Sequence, residues 1–234
     1  MSLARYQHTA GHRSAGGLMV LPLFLLFTLA FVALGYVAYA LWPRWPEPPV
    51  AADAPPLPIV VGGVLFNVPP QAMRVAVQRR AGMQERVDLV YAWPSLTPPQ
   101  GAPASLNGIE ERVFVTIAAA AGALTPLDRL KTIYPRYTAS ETATAPDGLA
   151  IFAFRDGTPY QGEDLALDAD APEQFLARCA RNSSALIPAT CLAERRVGGA
   201  DITVRFARDW LRNWRQVEAS VDRLIGQLQM RGGG

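Results

Sequence analysis

Two histidines, two cysteines and a few paired carboxylates are the residues of this chain whose types could do chemistry. His8 and His12 both precede a long apolar run, so everything beyond that run lacks imidazole. Ser–His–Asp and Cys–His nucleophilic machinery is excluded there, as is any histidine-bound metal. His8 and His12 are spaced to share a helix face, but in a short polar tail they read as solvated. Cys179 and Cys191 lie twelve residues apart, whereas thiol redox chemistry favours C-x-x-C. Their spacing predicts a disulfide closing a hairpin, worth ~3 kcal/mol of chain entropy and expected in an oxidising compartment.

Carboxylate pairs are the remaining acid–base candidates. Glu110–Glu111, Glu163–Asp164 and Asp168/Asp170 could serve a two-carboxylate hydrolase, yet all fall in predicted loops or strand ends, where surface charge is the default. Lys131 is the only lysine among 22 basic residues. Its helical position faces water and does not suit a Ser–Lys dyad. Neither GxxxxGK[ST] nor GxGxxG occurs, so phosphate-loop nucleotide binding lacks support. No catalytic residue, cofactor or metal site is therefore assigned. Arginine supplies the other cations. Arg79–Arg80, Arg195–Arg196 and the C-terminal helical set Arg208, Arg212 and Arg215 are possible contacts for an anionic lipid or a carboxylate-rich partner. The plainer alternative pairs them with the chain's own Asp and Glu.

The elements that must position these residues begin with an apolar segment. Net charge is only +2, from Lys+Arg 22 and Asp+Glu 20, which excludes nucleic-acid binding driven by bulk charge. Hydrophobic content of 50% against 18% charged points to one unusually apolar stretch. Leu18 to Leu41 carries no charge in 24 residues. As a helix it spans ~36 Å, enough for the ~30 Å hydrocarbon core. Tyr36, Tyr39, Trp42 and Trp45 gather at its far end like an interfacial aromatic belt. Ala38–Tyr39–Ala40 matches a signal-peptidase site, but the run before it exceeds the ~7–15 residues of a signal core, which favours an uncleaved anchor. Arg5 and Arg13 precede the span, while Arg44 follows it beside Glu47 and Asp53. The expectation is a single-pass protein of a bacterial inner membrane, contacting the bilayer through residues 18–42, with residues 1–17 cytoplasmic.

Residues 43–58 hold seven prolines in sixteen and read as a semi-rigid polyproline stalk. Residues 59–229 then form one periplasmic domain, followed by a flexible tail at 230–234. Its patterns predict apolar runs at Ile59–Val68 and Met73–Gln78, and strands at Arg86–Trp93, Arg112–Ala118, Leu149–Phe154, Thr158–Leu167, Gln174–Ala180, Thr190–Val197 and Asp201–Phe206. Thr125, Pro126 and Asp128 mark a helix start. From Trp210 to Leu228 one apolar stripe predicts a long amphipathic helix. Val61–Gly62–Gly63 and Val197–Gly198–Gly199 match over three residues, too few for a repeat.

The resulting fold class is α+β: a transmembrane helix, then a mostly antiparallel sheet covered by the C-terminal helix. The arrangement resembles that of bacterial bitopic envelope proteins. The expected function is binding or scaffolding of another envelope protein without catalysis. A carboxylate-dependent envelope hydrolase and a periplasmic ligand- or lipid-sensing domain are the alternatives. Converging carboxylates would favour the first, and a sizeable apolar pocket with a few polar groups the second.

Overall fold

A computed structural model describes residues 16–41, 50–51, 53–99, 112–144, 146–181 and 188–229. His8, His12, Glu110, Glu111, residues 43–49 of the expected stalk and the 230–234 tail lie outside the described residues. The chain divides into two units, residues 1–49 and 50–234.

In the first unit, α1 runs from Gly16 to Leu41, two residues longer at its start than the apolar pattern alone marks. Leu21–Leu41, 21 residues with a mean hydropathy of 2.3, is long and apolar enough to cross a membrane. Its large side chains, Leu21 to Leu41, are exposed all round.

The second unit is α+β. Among the described residues, eleven strands form two sheets. The small sheet joins β1 (Leu57–Val61), β2 (Val64–Val68) and the short β3 (Gly82–Met83), with β1 in the middle. β1 therefore begins inside the expected stalk, at Leu57. The large sheet holds β4 (Arg86–Ala92), β5 (Arg112–Ala119), β6 (Thr138–Thr144), β7 (Leu149–Phe154), β8 (Glu163–Asp168), β9 (Leu176–Ala180), β10 (Thr190–Val197) and β11 (Ala200–Ala207). Its order is β4-β5-β11-β10-β9-β8-β7-β6, and every pairing is antiparallel.

Period-two alternation sorts this sheet into two faces. One register row runs Leu89, Val115, Val204, Ala193, Ala177, Ala166, Ile151 across seven strands. Its middle members are alanines, and their small size makes room for a covering helix. That helix is α3, Trp214–Gln229, which buries Trp214, Val217, Val221, Leu224, Ile225 and Leu228. The small sheet adds Ile59, Val61, Phe66 and Val68 to the same core. The opposite face of β7–β9 forms a second cluster around Tyr134, Phe154 and Leu165. Over it lies α2, Pro126–Thr132, which opens with the capping box of Thr125 and Asp128.

Several expected elements shift. Trp210 and Leu211 lie in a 3-10 turn, Arg208–Asn213, rather than in the helix, so the apolar stripe continues past a change of winding. The apolar run Met73–Gln78 makes one bridge, Met73 to Leu89, and ends in a 3-10 turn. β8 starts at Glu163, five residues after the expected Thr158, because Thr158–Gly162 turns back on itself.

The two glycine turns meet. Gly62 and Gly63, both at positive φ, close the β1–β2 hairpin, and Gly198–Gly199 closes β10–β11. A Cβ on Gly62 would lie 1.9 Å from the Gly199 carbonyl oxygen, and one on Gly199 would lie 2.2 Å from that of Gly62. Backbone therefore packs on backbone where the two sheets join. Gly199→Ala should destabilise the protein by ~3 kcal/mol or more. Gly63→Ala, with nothing within 4 Å of its Cβ, should lose only the ~1–2 kcal/mol of left-handed strain. Urea midpoints followed by tryptophan fluorescence compare the two; equal losses would refute the clash.

Candidate functional site

Several of the sequence candidates lie on β8–β11, the four central strands of the large sheet. Asp164, Cys179, Cys191 and Phe206 are successive register partners across β8, β9, β10 and β11. Cys179 and Cys191 form a disulfide with Cα atoms 3.9 Å apart. The two residues face each other directly on paired strands. The intervening 182–187 segment lies outside the described residues.

Asp164 is buried and is held by two arginines. Arg208 forms a short ion pair with its Oδ2, and Arg181 Nε lies 3.5 Å from its Oδ1. Arg208 also donates to the carbonyls of Cys179 at 3.2 Å and Ala180 at 2.9 Å. Arg208 is thus engaged within the domain, with its side chain 26% exposed. Arg208 and Arg212 sit in the 3-10 turn and only Arg215 in α3, so the three share no α-helical face. Arg215 lies over the Trp214 ring at 4.4 Å and donates to the Asp147 carbonyl at 2.9 Å. Arg212 is exposed.

The other arginines follow the plainer alternative. Arg195 pairs with Asp222, Arg196 with Asp201 at 2.7 Å, Arg129 with Glu194 at 2.6 Å, and Arg178 with Glu163 at 2.9 Å. Arg79 donates to the Met73 carbonyl at 3.1 Å, while Arg80 and Lys131 are exposed.

Among the described residues, the carboxylate pairs named from the sequence do not converge. Glu163 and Asp164 are adjacent on β8 and point to opposite faces. Asp164 and Asp168 share a face but stand four residues apart, ~13 Å along a strand, beyond the spans used by retaining or inverting glycosidases. Asp168 Oδ1 accepts the Asp170 N–H at 3.0 Å, a local turn contact. A carboxylate that sequence reading passed over, Glu218 on α3, is the more perturbed. Desolvation raises its carboxyl above the ordinary range, Asp222 and Asp168 add to the effect, and Arg195 and Arg215 oppose it. Its i, i+4 spacing to Asp222 was the available signal. The cavity beside Glu218 measures only about 20 Å³, room for about one water.

A larger cleft lies elsewhere, between β2, β4 and α3, and measures about 390 Å³. Asn67, Tyr91 and Leu224 are among its lining residues. Burial raises the Tyr91 hydroxyl well above the ordinary phenol value. Among the described residues no group of three or more His, Cys, Asp or Glu side chains could hold a metal.

No protein-family model and no curated protein matches the chain. Solved structures do. An immunity protein of the Stenotrophomonas maltophilia type IV secretion system is similar with a TM-score of 0.53 and 14% identity, over 78% of this chain and 97% of its own. The iron-regulated outer membrane lipoprotein FrpD of Neisseria meningitidis gives a TM-score of 0.44 at 9% identity, over 76% of this chain and 96% of its own. The first likeness supports the α+β fold with its mostly antiparallel eight-stranded sheet and long C-terminal helix.

Two outcomes test the electrostatics. Asp164→Asn leaves Arg208 and Arg181 facing a neutral group. Breaking a fully buried pair costs ~3–5 kcal/mol, but these arginine side chains are 26% and 33% exposed, so a loss of ~2 kcal/mol is expected in denaturant titration. Glu218 binds its proton more tightly folded than unfolded, so its ionised form costs stability at neutral pH. That cost fades as pH falls through the raised folded value towards the unfolded value of ~4.3. Glu218→Gln should therefore melt above the parent at about pH 7 and level with it below about pH 4; a Glu218→Gln protein less stable at pH 7 contradicts this reading.

Proposed function

We propose that the chain is a single-pass bacterial inner-membrane protein whose domain, residues 59–229, lies in the periplasm and binds or scaffolds another envelope protein without catalysis. The observation that carries this reading is an uncharged apolar helix, Leu21–Leu41, preceding a domain that contains a disulfide. A disulfide between paired strands persists in an oxidising compartment, and the arginines Arg5 and Arg13 before the helix favour a cytoplasmic N-terminus. In this reading residues 18–42 contact the bilayer, and the part of the 43–58 stretch that precedes β1 links it to the domain. The fold likeness to an immunity protein, with the engagement of Glu163 and Asp164 by arginines, supports binding over turnover.

Arg212 is the member of the C-terminal arginine set most open to an acidic partner surface. Arg215 is also exposed and holds the Asp147 carbonyl with one of its N–H groups.

Two measurements test the proposal. Alkaline phosphatase fused after Gly234 should be active, and a cytoplasm-only reporter at the same point silent; the reverse pattern sinks the topology. Crosslinking in intact membranes, followed by purification of the full-length protein, should recover one envelope protein in constant ratio. Arg212→Glu should reduce that yield several-fold while leaving the melting temperature within a degree or so of the parent, as expected of a surface substitution.

A further inference from the structure

Among the described residues of the domain, five large apolar side chains are exposed. Four of them, Leu65, Val75, Val77 and Met83, come from β2 and the chain leading through β3; the fifth is Leu124. Single apolar residues scattered over a surface need no explanation, but a gathered set does. Leu65, Val60 and Met83 are register partners across β2, β1 and β3, so they share one face of the small sheet. The opposite face carries Ile59, Val61, Phe66 and Val68 into the core. Met83 is 87% and Leu65 44% exposed, and the exposed Pro58 extends the outer row along β1.

Gln84 fixes the neighbouring turn beside this sheet. Its backbone N–H donates to the Val60 carbonyl at 2.9 Å, and its side-chain amide donates to the carbonyls of Gln78 at 3.0 Å and Arg80 at 2.6 Å. Val77, 75% exposed, and the exposed Arg80 are thereby held next to β3. Between positions 74 and 88 four arginines stand against Glu85 and Asp88, and Asp88 is taken by Arg86 at 2.7 Å. The patch is thus aliphatic with a cationic margin.

We propose that the outer face of the small sheet docks on the surface of a bilayer containing anionic phospholipid. Leu65 and Met83 enter the headgroup boundary and Arg80 meets the phosphates. This rests on the anchored reading above. In that reading the domain is tethered: β1 starts at Leu57, sixteen positions after α1 ends at Leu41, so the connecting chain reaches no further than about 55 Å. Such a tether keeps the patch at high effective concentration over the bilayer, and a weak contact then suffices. Aliphatic groups at the headgroup boundary with cations beside them match interfacial binding, and each arginine near an anionic surface adds about five-fold. A protein partner fits less well. A standard interface uses ~20–30 residues a side and aromatic anchors, and none of the five exposed side chains is aromatic.

The test uses full-length protein, one chain per lipid nanodisc, with an NBD fluorophore on Met83→Cys. The control carries it on Lys131→Cys, in α2 over the other face of the large sheet. The native cysteines are buried in their disulfide and do not take the label. With phosphatidylglycerol present, doxyl-labelled lipid should quench position 83 several-fold more than position 131. Replacing phosphatidylglycerol by phosphatidylcholine, Arg80→Glu and Leu65→Asp should each reduce that quenching several-fold. If the chain stays with the nanodisc, then equal quenching at both positions, none at position 83, or quenching indifferent to lipid charge and to Arg80→Glu would overturn this proposal alone. A blue shift at position 83 that grows with protein concentration without lipid quenching would mark a second copy as the occupant and overturn it too. A chain that does not remain with the nanodiscs would overturn the anchored reading and this proposal with it.

Discussion

Asp164 sits where the sheet, the disulfide and the start of the C-terminal helix come together, and its burial constrains all three. Burying a lone carboxylate costs several kcal/mol in proteins, so the charge demands partners, and the chain supplies Arg208 and Arg181. Arg208 also binds the Cys179 and Ala180 carbonyls, so one guanidinium ties β8 and β9 to the turn leaving β11. The geometry suits arginine, whose planar fork serves several acceptors at once. From that fixed point the turn places Trp210 against Trp93, with ring centroids 4.3 Å apart, and Trp214 against Phe175 at 5.2 Å. α3 can then lie along the alanine row of the sheet.

Much of this architecture was legible in the sequence, and the reason is local. The stripe from Trp214 to Leu228, the Thr125–Asp128 capping box and the β10–β11 hairpin around Gly198–Gly199 are set by residues a few positions apart. The apolar segment needs only a count of uncharged residues. What escaped depends on distant partners. β6, Thr138–Thr144, lacks strong alternation and exists because β7 offers it an edge. β3 has two residues and is a strand only by pairing with β1.

The site residues divide in the same way. The cysteines were legible because their spacing fits a hairpin. The role of Asp164 was not, since period two says which face a side chain takes but not what waits there. The Arg208, Arg212, Arg215 series looked like a helix face because i, i+4 and i+7 spacing carries no sign of a 3-10 turn. Tyr91 read as one more inward residue of a strand. Only the three-dimensional arrangement shows that Tyr91 lines a cleft together with Asn67, from the other sheet.

The contact between the Gly62 and Gly199 turns also has a mechanical side. The chain enters the domain at β1, the middle strand of the small sheet. A pull on the N-terminal end loads that strand before any of the other eight-stranded layer feels it. Where Gly62 meets Gly199, backbone lies directly on backbone, with no side chain as a compliant cushion. Tension is passed stiffly from the first hairpin to the β10–β11 hairpin, in the middle of the larger sheet rather than at its edge. That layer shares the load through strands zipped on both sides.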